Sequence, residues 1–358
     1  MVQQRNRRTR IADVAREAGV SKTAVSFAFN SPERLSSDTA SRIREVASSL
    51  GYRPHPVARM LTQRQTRTLG VLTPQALSVV FANPFFSTFS QGVALAAEEA
   101  AYSLLFVSPV LGSLELAVDR ATVDGLVAVG LSEEHPEVEQ VRQADLPIVM
   151  VDSSPFPEHS SVDVDDEKGA RAAAEHLVGL GHRDFLVVGA EPPTPGSRVS
   201  FDGIVGRRLA GYRAALAAAG IDLPDECVVV GPATVEGGTE CFARAWEDGL
   251  RPTAVLAMSD AMAIGVLAAA HRLGLRVPED LSVVGFDDID VARLVNPPLT
   301  TVHQPVRRKG EEACRLLLAA IERHDEPRPE HRRLDTRLIV RGSSGRAPQP
   351  RQEVAAEE

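Results

Sequence analysis

RIADVAREAGVSKTAVSFAFN, residues 10–30, carries two apolar stripes at helical spacing with a glycine between them. Ile11, Val14, Ala15 and Ala18 fall at i, i+3, i+4 and i+7, and Gly19 stands where a helix end takes a left-handed residue. Ser21 is a good N-cap for a second helix. On that helix Val25, Ala28 and Phe29 share one face, with Ala24 beside them, while Phe27 falls on the opposite face next to Thr23 and Asn30. Ala15 is small where the two helices would cross, and Val25 can pack between them. Ser36 or Ser37 can cap a third helix whose inner face is Ile43, Val46, Ala47 and Leu50, closed by Gly51. The expectation for residues 10–54 is an all-α helix-turn-helix head. In that motif the N-terminal residues of the second helix meet base edges in the DNA major groove.

Charge supports a polyanion partner for the head alone. Residues 1–67 hold 13 Lys+Arg against 5 Asp+Glu, a net +8, while the remainder holds 26 against 43, a net −17. Residues 1–9 read as a disordered basic arm. Residues 55–67 are polar, basic and proline-bearing, a linker in which Val57 to Gln63 fit a short helix with Pro56 at its first turn.

Beyond residue 68 the texture changes. Short β-rich runs recur at 69–72, 104–107, 125–129, 148–151, 185–189, 227–230, 254–258 and 281–286. Helical patterns fall between most of them, at Gly92–Ala101, Glu167–Leu180, Arg208–Ala219, Ala261–Leu273 and Gly310–Arg323, and a brief helix fits between 107 and 125. Such alternation implies parallel sheets covered on both faces, and this many units suggests two similar lobes. The body is therefore expected at 68–343 as an α/β structure of two doubly wound parallel-sheet lobes, with a disordered tail at 344–358.

Other classes find little support. The basic N-terminus is followed by no apolar signal core, and no apolar run approaches the roughly 20 residues of a membrane span. Cys227, Cys241 and Cys314 fit no metal or redox spacing and read as free thiols in a reducing cytoplasm. The nine histidines are scattered, and His324 and His331, near Asp325 and Glu326, lack a ligand-like pattern. The phosphate-loop, nucleophile-elbow, dinucleotide and zinc-protease motifs are absent. No enzyme activity, cofactor or metal is expected, and no membrane partner.

The head RIADVAREAGVSKTAVSFAFN, followed by SSDTASRIREVASSLGYRPHPVARML, resembles that of the lactose/galactose repressor (LacI/GalR) family. The likeness continues through TRTLGVLTP, NPFF at 83–86, VDGLV at 123–127, LGHRDF at 180–185 and RLAGY at 208–212. It is strongest over 259–305, SDAMAIGVLAAAHRLGLRVPEDLSVVGFDDIDVARLVNPPLTTVHQP, and spans about 10 to 343. The resemblance implies a periplasmic-binding-protein type I body whose chain crosses between lobes near 168, 300 and 333. Lobe 1 is then about 68–168 and 301–332, and lobe 2 about 169–300 and 333–343, with a ligand in the cleft.

By that resemblance Lys22 and Thr23 match positions of base readout, while Ser21, Ser26, Asn30 and Arg10 are better placed for phosphates. Phe27 stands where some members place an arginine on guanine, a contact phenylalanine cannot make; an apolar ring instead suits a thymine or cytosine edge. PVARML resembles a hinge helix that wedges Leu61 into the minor groove, with Ala58 small enough for close approach. In the body Arg208 and Asp287 match ligand-holding positions. Phe86 is placed to stack on a ring, and Asp163, Asp260 and Gln304 are further effector-binding candidates. The stretch DGIVGR at 202–207 departs from familiar sugar repressors.

These readings combine into a homodimeric, ligand-responsive transcription factor, a repressor that binds a pseudo-palindromic double-stranded operator. Its effector would be a sugar or similar polar metabolite. The rival readings are a small-molecule binding protein without a DNA role and an enzyme on an α/β scaffold.

Overall fold

The computed structural model describes residues 9–53, 65–133, 135–154, 156–190, 203–323 and 328–349. The chain divides into two compact units, Met1–Thr66 and Arg67–Glu358.

The first unit holds α1 (Ile11–Glu17), α2 (Lys22–Asn30) and α3 (Ser37–Ser49). Gly19, at φ +64°, makes the turn between α1 and α2 in the left-handed region that glycine enters without a Cβ penalty. Ser21 Oγ accepts the Ala24 N–H at 3.1 Å, and Ser36 Oγ accepts the Thr39 N–H at 3.3 Å, so each cap satisfies a donor the helix leaves orphaned. The small core is Val14, Ala15, Ala18, Val25, Ala28, Ile43 and Ala47, with Phe29, Val46, Leu50 and Tyr52 packed around it.

The second unit contains two six-stranded sheets of the same winding. In lobe 1 the strands are β1 (Thr68–Leu72), β2 (Ser103–Val107), β3 (Gly125–Val129), β4 (Ile148–Val151), β5 (Ser160–Val164) and β11 (His331–Leu334). They lie in the order β11-β5-β4-β3-β1-β2 and are parallel throughout. Lobe 2 holds β6 (Phe185–Ala190), β7 (Val228–Gly231), β8 (Ala254–Ala257), β9 (Ser282–Asp287), β10 (Thr300–His303) and β12 (Arg337–Ile339), ordered β12-β10-β9-β8-β6-β7. Only β12 runs antiparallel to its neighbour there.

Alternate strand residues feed opposite faces, which is why these strands read as unbroken apolar runs. In lobe 1, Val127, Val129, Val149 and Val151 face α5 (Pro84–Glu99) and α12 (Val306–Glu322). Leu126, Ala128, Ile148 and Met150 face α6 (Leu114–Arg120) and α7 (Val138–Arg142). Short α4 (Leu77–Ala82) precedes α5. In lobe 2, Phe185, Val187, Leu256, Val284 and Phe286 face α8 (Asp166–Gly179) and α9 (Gly203–Ala218). Leu186, Val188, Val255 and Val283 face α10 (Val235–Glu247) and α11 (Asp260–Arg272). Among the described residues no helix is long and apolar enough to cross a membrane.

Several expectations need correcting. The chain leaves lobe 1 at 165 rather than near 168, because α8 already packs against Phe286 and Val302 of lobe 2. It does not return near 300: β10 pairs with β9 from Thr300↔Val284 to His303↔Asp287, so the second crossover is at 304–305. The third lies at 335–336, between β11 and β12, rather than near 333. The segment from 344 is not wholly a tail. His176 Nε2 bonds Ser344 Oγ at 2.9 Å, His182 Nε2 bonds the Gly345 carbonyl at 3.1 Å, and the Ala347 N–H donates to the Leu180 carbonyl at 2.9 Å.

Candidate functional site

In the head, the buried face of α2 consists of Val25 and Ala28. Lys22 and Thr23 are exposed at its first turn, and Ser21 is exposed at its cap. Ser26, Phe27 and Asn30 are half-buried; the Asn30 amide nitrogen donates to Ser26 Oγ at 3.3 Å, and Asn30 Oδ1 has no partner among the described residues. Arg10 is exposed, its backbone N–H held by Asp13 Oδ2 at 3.0 Å. The two phenylalanines part company. Phe29 packs against the core and on Tyr52, with ring centroids 6.0 Å apart. Phe27 lies outside the core, with the Arg34 guanidinium 5.2 Å over its ring. Ala58 and Leu61 lie outside the described residues.

In the body, polar side chains from both lobes converge at the carboxyl ends of the strands, where open α/β sheets bind ligands. Asp287 ends β9 and Asp152 follows β4 directly. Both are buried, and both adopt positive φ, +128° and +50°, as does Asp288 at +59°. Such non-glycine conformations cost on the order of 1–3 kcal/mol each and persist only where the surroundings hold them.

Here the surroundings are a charged network. Arg208 Nε donates to Asp166 Oδ1 at 2.9 Å, and Arg207 Nε donates to Asp166 Oδ2 at 3.1 Å. A terminal nitrogen of Arg208 donates to the Met258 carbonyl and lies 3.8 Å from Asp287 Oδ1, while its guanidinium stacks 3.6 Å from the Phe286 ring centroid. The Gln304 amide nitrogen donates to Asp287 Oδ1 at 2.6 Å. On its other side Gln304 Oε1 accepts from the Lys309 ammonium, which also donates to both oxygens of Asp152 at 2.6 and 2.7 Å. The ammonium on one side and the carboxylate on the other fix which way this amide points. A further link crosses the lobes directly: Arg207 donates to the Ser153 carbonyl at 3.3 Å.

Of the remaining candidates, Asp260 and Asp163 adjoin this network and Phe86 does not. Asp260 is buried at the start of α11, accepting from the Ile289 N–H at 2.9 Å and from the Thr301 hydroxyl. Burial, with Asp287 nearby, drives its carboxyl well above the usual carboxylate range. Burial raises Asp287 as well, with the Arg208 guanidinium opposing the shift. Asp163 is half-buried, accepts the Asp152 N–H at 3.1 Å, and is raised by burial and by the Asp152 charge. Phe86 is nine-tenths buried, edge-on to Phe85 at 5.4 Å, within the lobe 1 core.

The network brings together Arg208, Asp287 and Gln304, which sequence reasoning singled out, and Asp152, Asp166, Arg207 and Lys309, which it did not. A signal for Lys309 was present: it falls on the stripe formed by Val306, Ala313 and Leu317 in α12, so a lysine there had to be buried. Asp152 likewise stands immediately after the run IVMV, at a strand's carboxyl end.

Comparison with known proteins places both units. Residues 10–55 match the model of the bacterial regulatory proteins of the lacI family, and residues 174–344 match a periplasmic binding protein-like domain. The ribose operon repressor of Escherichia coli (strain K12) is 34% identical over 343 residues, covering 93% of this chain and 98% of that protein. The structure is similar to the lac repressor dimer bound to operator and an anti-inducer, with a TM-score of 0.77 and 26% identity over 95% of this chain and all of that one. A second likeness is to the transcriptional regulator CelR in complex with cellobiose, with a TM-score of 0.68 and 30% identity over 94% of this chain and all of that one.

Proposed function

This chain belongs to the LacI family of bacterial regulatory proteins and is a DNA-binding transcriptional regulator, and from that premise we propose how its two units divide the work. The head reads an operator half-site. Lys22 and Thr23 contact base edges, Phe27 contacts a pyrimidine edge, and Ser21, Ser26, Asn30 and Arg10 hold phosphates. A homodimer places two heads on a pseudo-palindrome, and Leu61, with Ala58 beside it, enters the minor groove between them. The protein acts as a repressor in the cytoplasm, at the nucleoid, and performs no catalysis.

The body holds a small polar effector, a sugar or similar metabolite, between its lobes, in a site built around Arg208, Asp287 and Gln304 with Phe86, Asp163 and Asp260 at its margins. One observation carries this reading: the chain Arg208–Asp287–Gln304–Lys309–Asp152 runs from lobe 2 through a crossover into lobe 1. A ligand that alters hydrogen bonding at Asp287 acts on the residue that joins the lobes, and differential binding to two lobe arrangements is what regulation requires.

Melting of the full chain in the presence of sugars, nucleosides and amino acids tests the reading. A cleft ligand raises the melting temperature by mass action, and Arg208→Ala should remove that rise. Deleting residues 1–62 should abolish DNA binding and leave the ligand effect intact. A truncated chain that still binds DNA specifically contradicts the division of labour.

A further inference from the structure

Polar groups of the head engage two of its arginines. Arg16 pairs with Asp13 at 3.0 Å, and Arg44 Nε donates to the Ala28 carbonyl at 3.1 Å. Arg34 differs from both. It is exposed, and among the described residues its guanidinium has neither an ion pair nor a hydrogen bond; it lies 5.2 Å over the ring of Phe27. The backbone that carries it there is fixed from both sides. The Ser31 N–H donates to the Phe27 carbonyl at 2.9 Å, at the end of α2. Pro32, with its φ locked by the ring, opens a single 3₁₀ turn, Pro32–Arg34. The Arg34 N–H donates to the Ser31 carbonyl at 3.0 Å and the Leu35 N–H to the Pro32 carbonyl at 3.1 Å. Leu35 then packs against the head's core, so residue 34 is held above residue 27.

Stability does not call for this contact. Val25 and Ala28 bury α2 without Phe27, which lies outside the core cluster. A cation over a ring at an exposed site adds little to folding. Recognition has more use for it. A ring on the solvent side of a helix hops among staggered rotamers unless something packs on it. Freezing such a ring against a base costs conformational entropy, and a contact that favours one orientation beforehand removes part of that cost.

We propose, resting on the reading that Phe27 contacts a pyrimidine edge, that Arg34 is a positioning residue for Phe27. Lying over the ring, the guanidinium holds it in the orientation that meets the base, so that two residues from different elements act as one reading unit. The simpler role for an exposed cation on this face is a phosphate contact, which carries no sequence information. The two roles separate by experiment.

The test uses the full chain and the duplex it enriches from a random-sequence library, together with copies of that duplex altered at one base pair at a time. Affinities are measured over a series of KCl concentrations. Phe27→Ala identifies the base pair that the ring reads, as the one where discrimination falls. Arg34→Ala should lower discrimination at that same base pair by about threefold and leave the others as in the wild type. In the Phe27→Ala background, Arg34→Ala should cause no further loss there, because the arginine acts through the ring. Losses that add independently overturn the proposal. So does an Arg34→Ala variant that binds every duplex more weakly by the same factor, with a shallower salt slope, since Arg34 is then a phosphate contact. If Phe27→Ala leaves discrimination intact at every base pair, the pyrimidine reading itself has failed, a result distinct from a failed coupling. Should Phe27→Ala unfold the head, Phe27→Leu replaces it in the same cycle, keeping apolar bulk while offering the cation no ring.

Discussion

Replacing Arg208 by methionine isolates the charge at the centre of the cleft network. The substitution keeps an unbranched chain that can still lie against Phe286, where the guanidinium stacks at 3.6 Å. It removes the 2.9 Å bond to Asp166 Oδ1, the bond to the Met258 carbonyl, and the cation 3.8 Å from Asp287. Breaking a buried ion pair from one side costs about 3–5 kcal/mol, because the abandoned carboxylate keeps its desolvation penalty. Asp166 retains Arg207 at 3.1 Å, and Asp287 retains Gln304 at 2.6 Å, which places the loss at the lower end of that range. A loss of about 3 kcal/mol corresponds to a drop of roughly 5 °C in a unit as large as Arg67–Glu358. Urea unfolding at pH 7, followed by circular dichroism and by fluorescence of Trp246 in lobe 2, measures it, with coincident transitions checked before a free energy is extracted. Arg208→Lys should recover part of the loss by restoring one charge. A loss below about 1 kcal/mol for Arg208→Met, typical of a solvated surface pair, refutes the reasoning.

Three further outcomes follow from other parts of the molecule. Phe27→Ala should reduce discrimination between specific and random duplex by on the order of 1 kcal/mol while leaving the salt slope of binding unchanged; unfolding of the head would instead mark the ring as core. Asp260→Asn tests the buried carboxyl, raised to about 8. Because its folded pKa lies above the unfolded value, the wild type should lose stability as pH rises from about 4 towards 8, and the Asn variant, which keeps the raised carboxyls of Asp287 and Asp163, should lose less, in melting curves taken at pH 5 and pH 8. Gly92→Ala should destabilise lobe 1 by about 1–3 kcal/mol in urea titrations, since a Cβ there would stand 1.9 Å from the Arg307 carbonyl oxygen of α12.

Much of the architecture is legible because strands buried on both faces become apolar runs, and β3, β4 and β8 are read from GLVAV, IVMV and AVLA at once. What escapes is what polar composition or glycine disguises. Strands β5 and β11, SSVDV and HRRL, lie at one end of the lobe 1 sheet and alternate or carry charge. Helix α10 contains Gly237 and Gly238, which weaken any helical reading. Yet a Cβ at 238 would come 2.2 Å from the Met262 carbonyl oxygen of α11, so the glycine is what allows the two helices to approach. The position of Phe27 off the head's core follows from helical angle alone, and the structure agrees. The pairing within the cleft is different in kind. Asp166 and Arg208 are 42 residues apart, and Asp152 and Lys309 are 157 apart, and no local pattern connects them. Resemblance pointed to Arg208, Asp287 and Gln304 singly; their linkage through Lys309 into lobe 1 is a product of the fold.

Selection of bound duplexes from a random-sequence library by the full chain tests the central claim most directly, that this is a sequence-specific regulator reading DNA through α2. The wild type should enrich a pseudo-palindrome with two half-sites, and the Lys22→Ala, Thr23→Ala double variant should lose preference at defined base pairs of each half-site while remaining folded. Enrichment of no common sequence by the wild type, or of the same sequence with undiminished preference by the double variant, contradicts it.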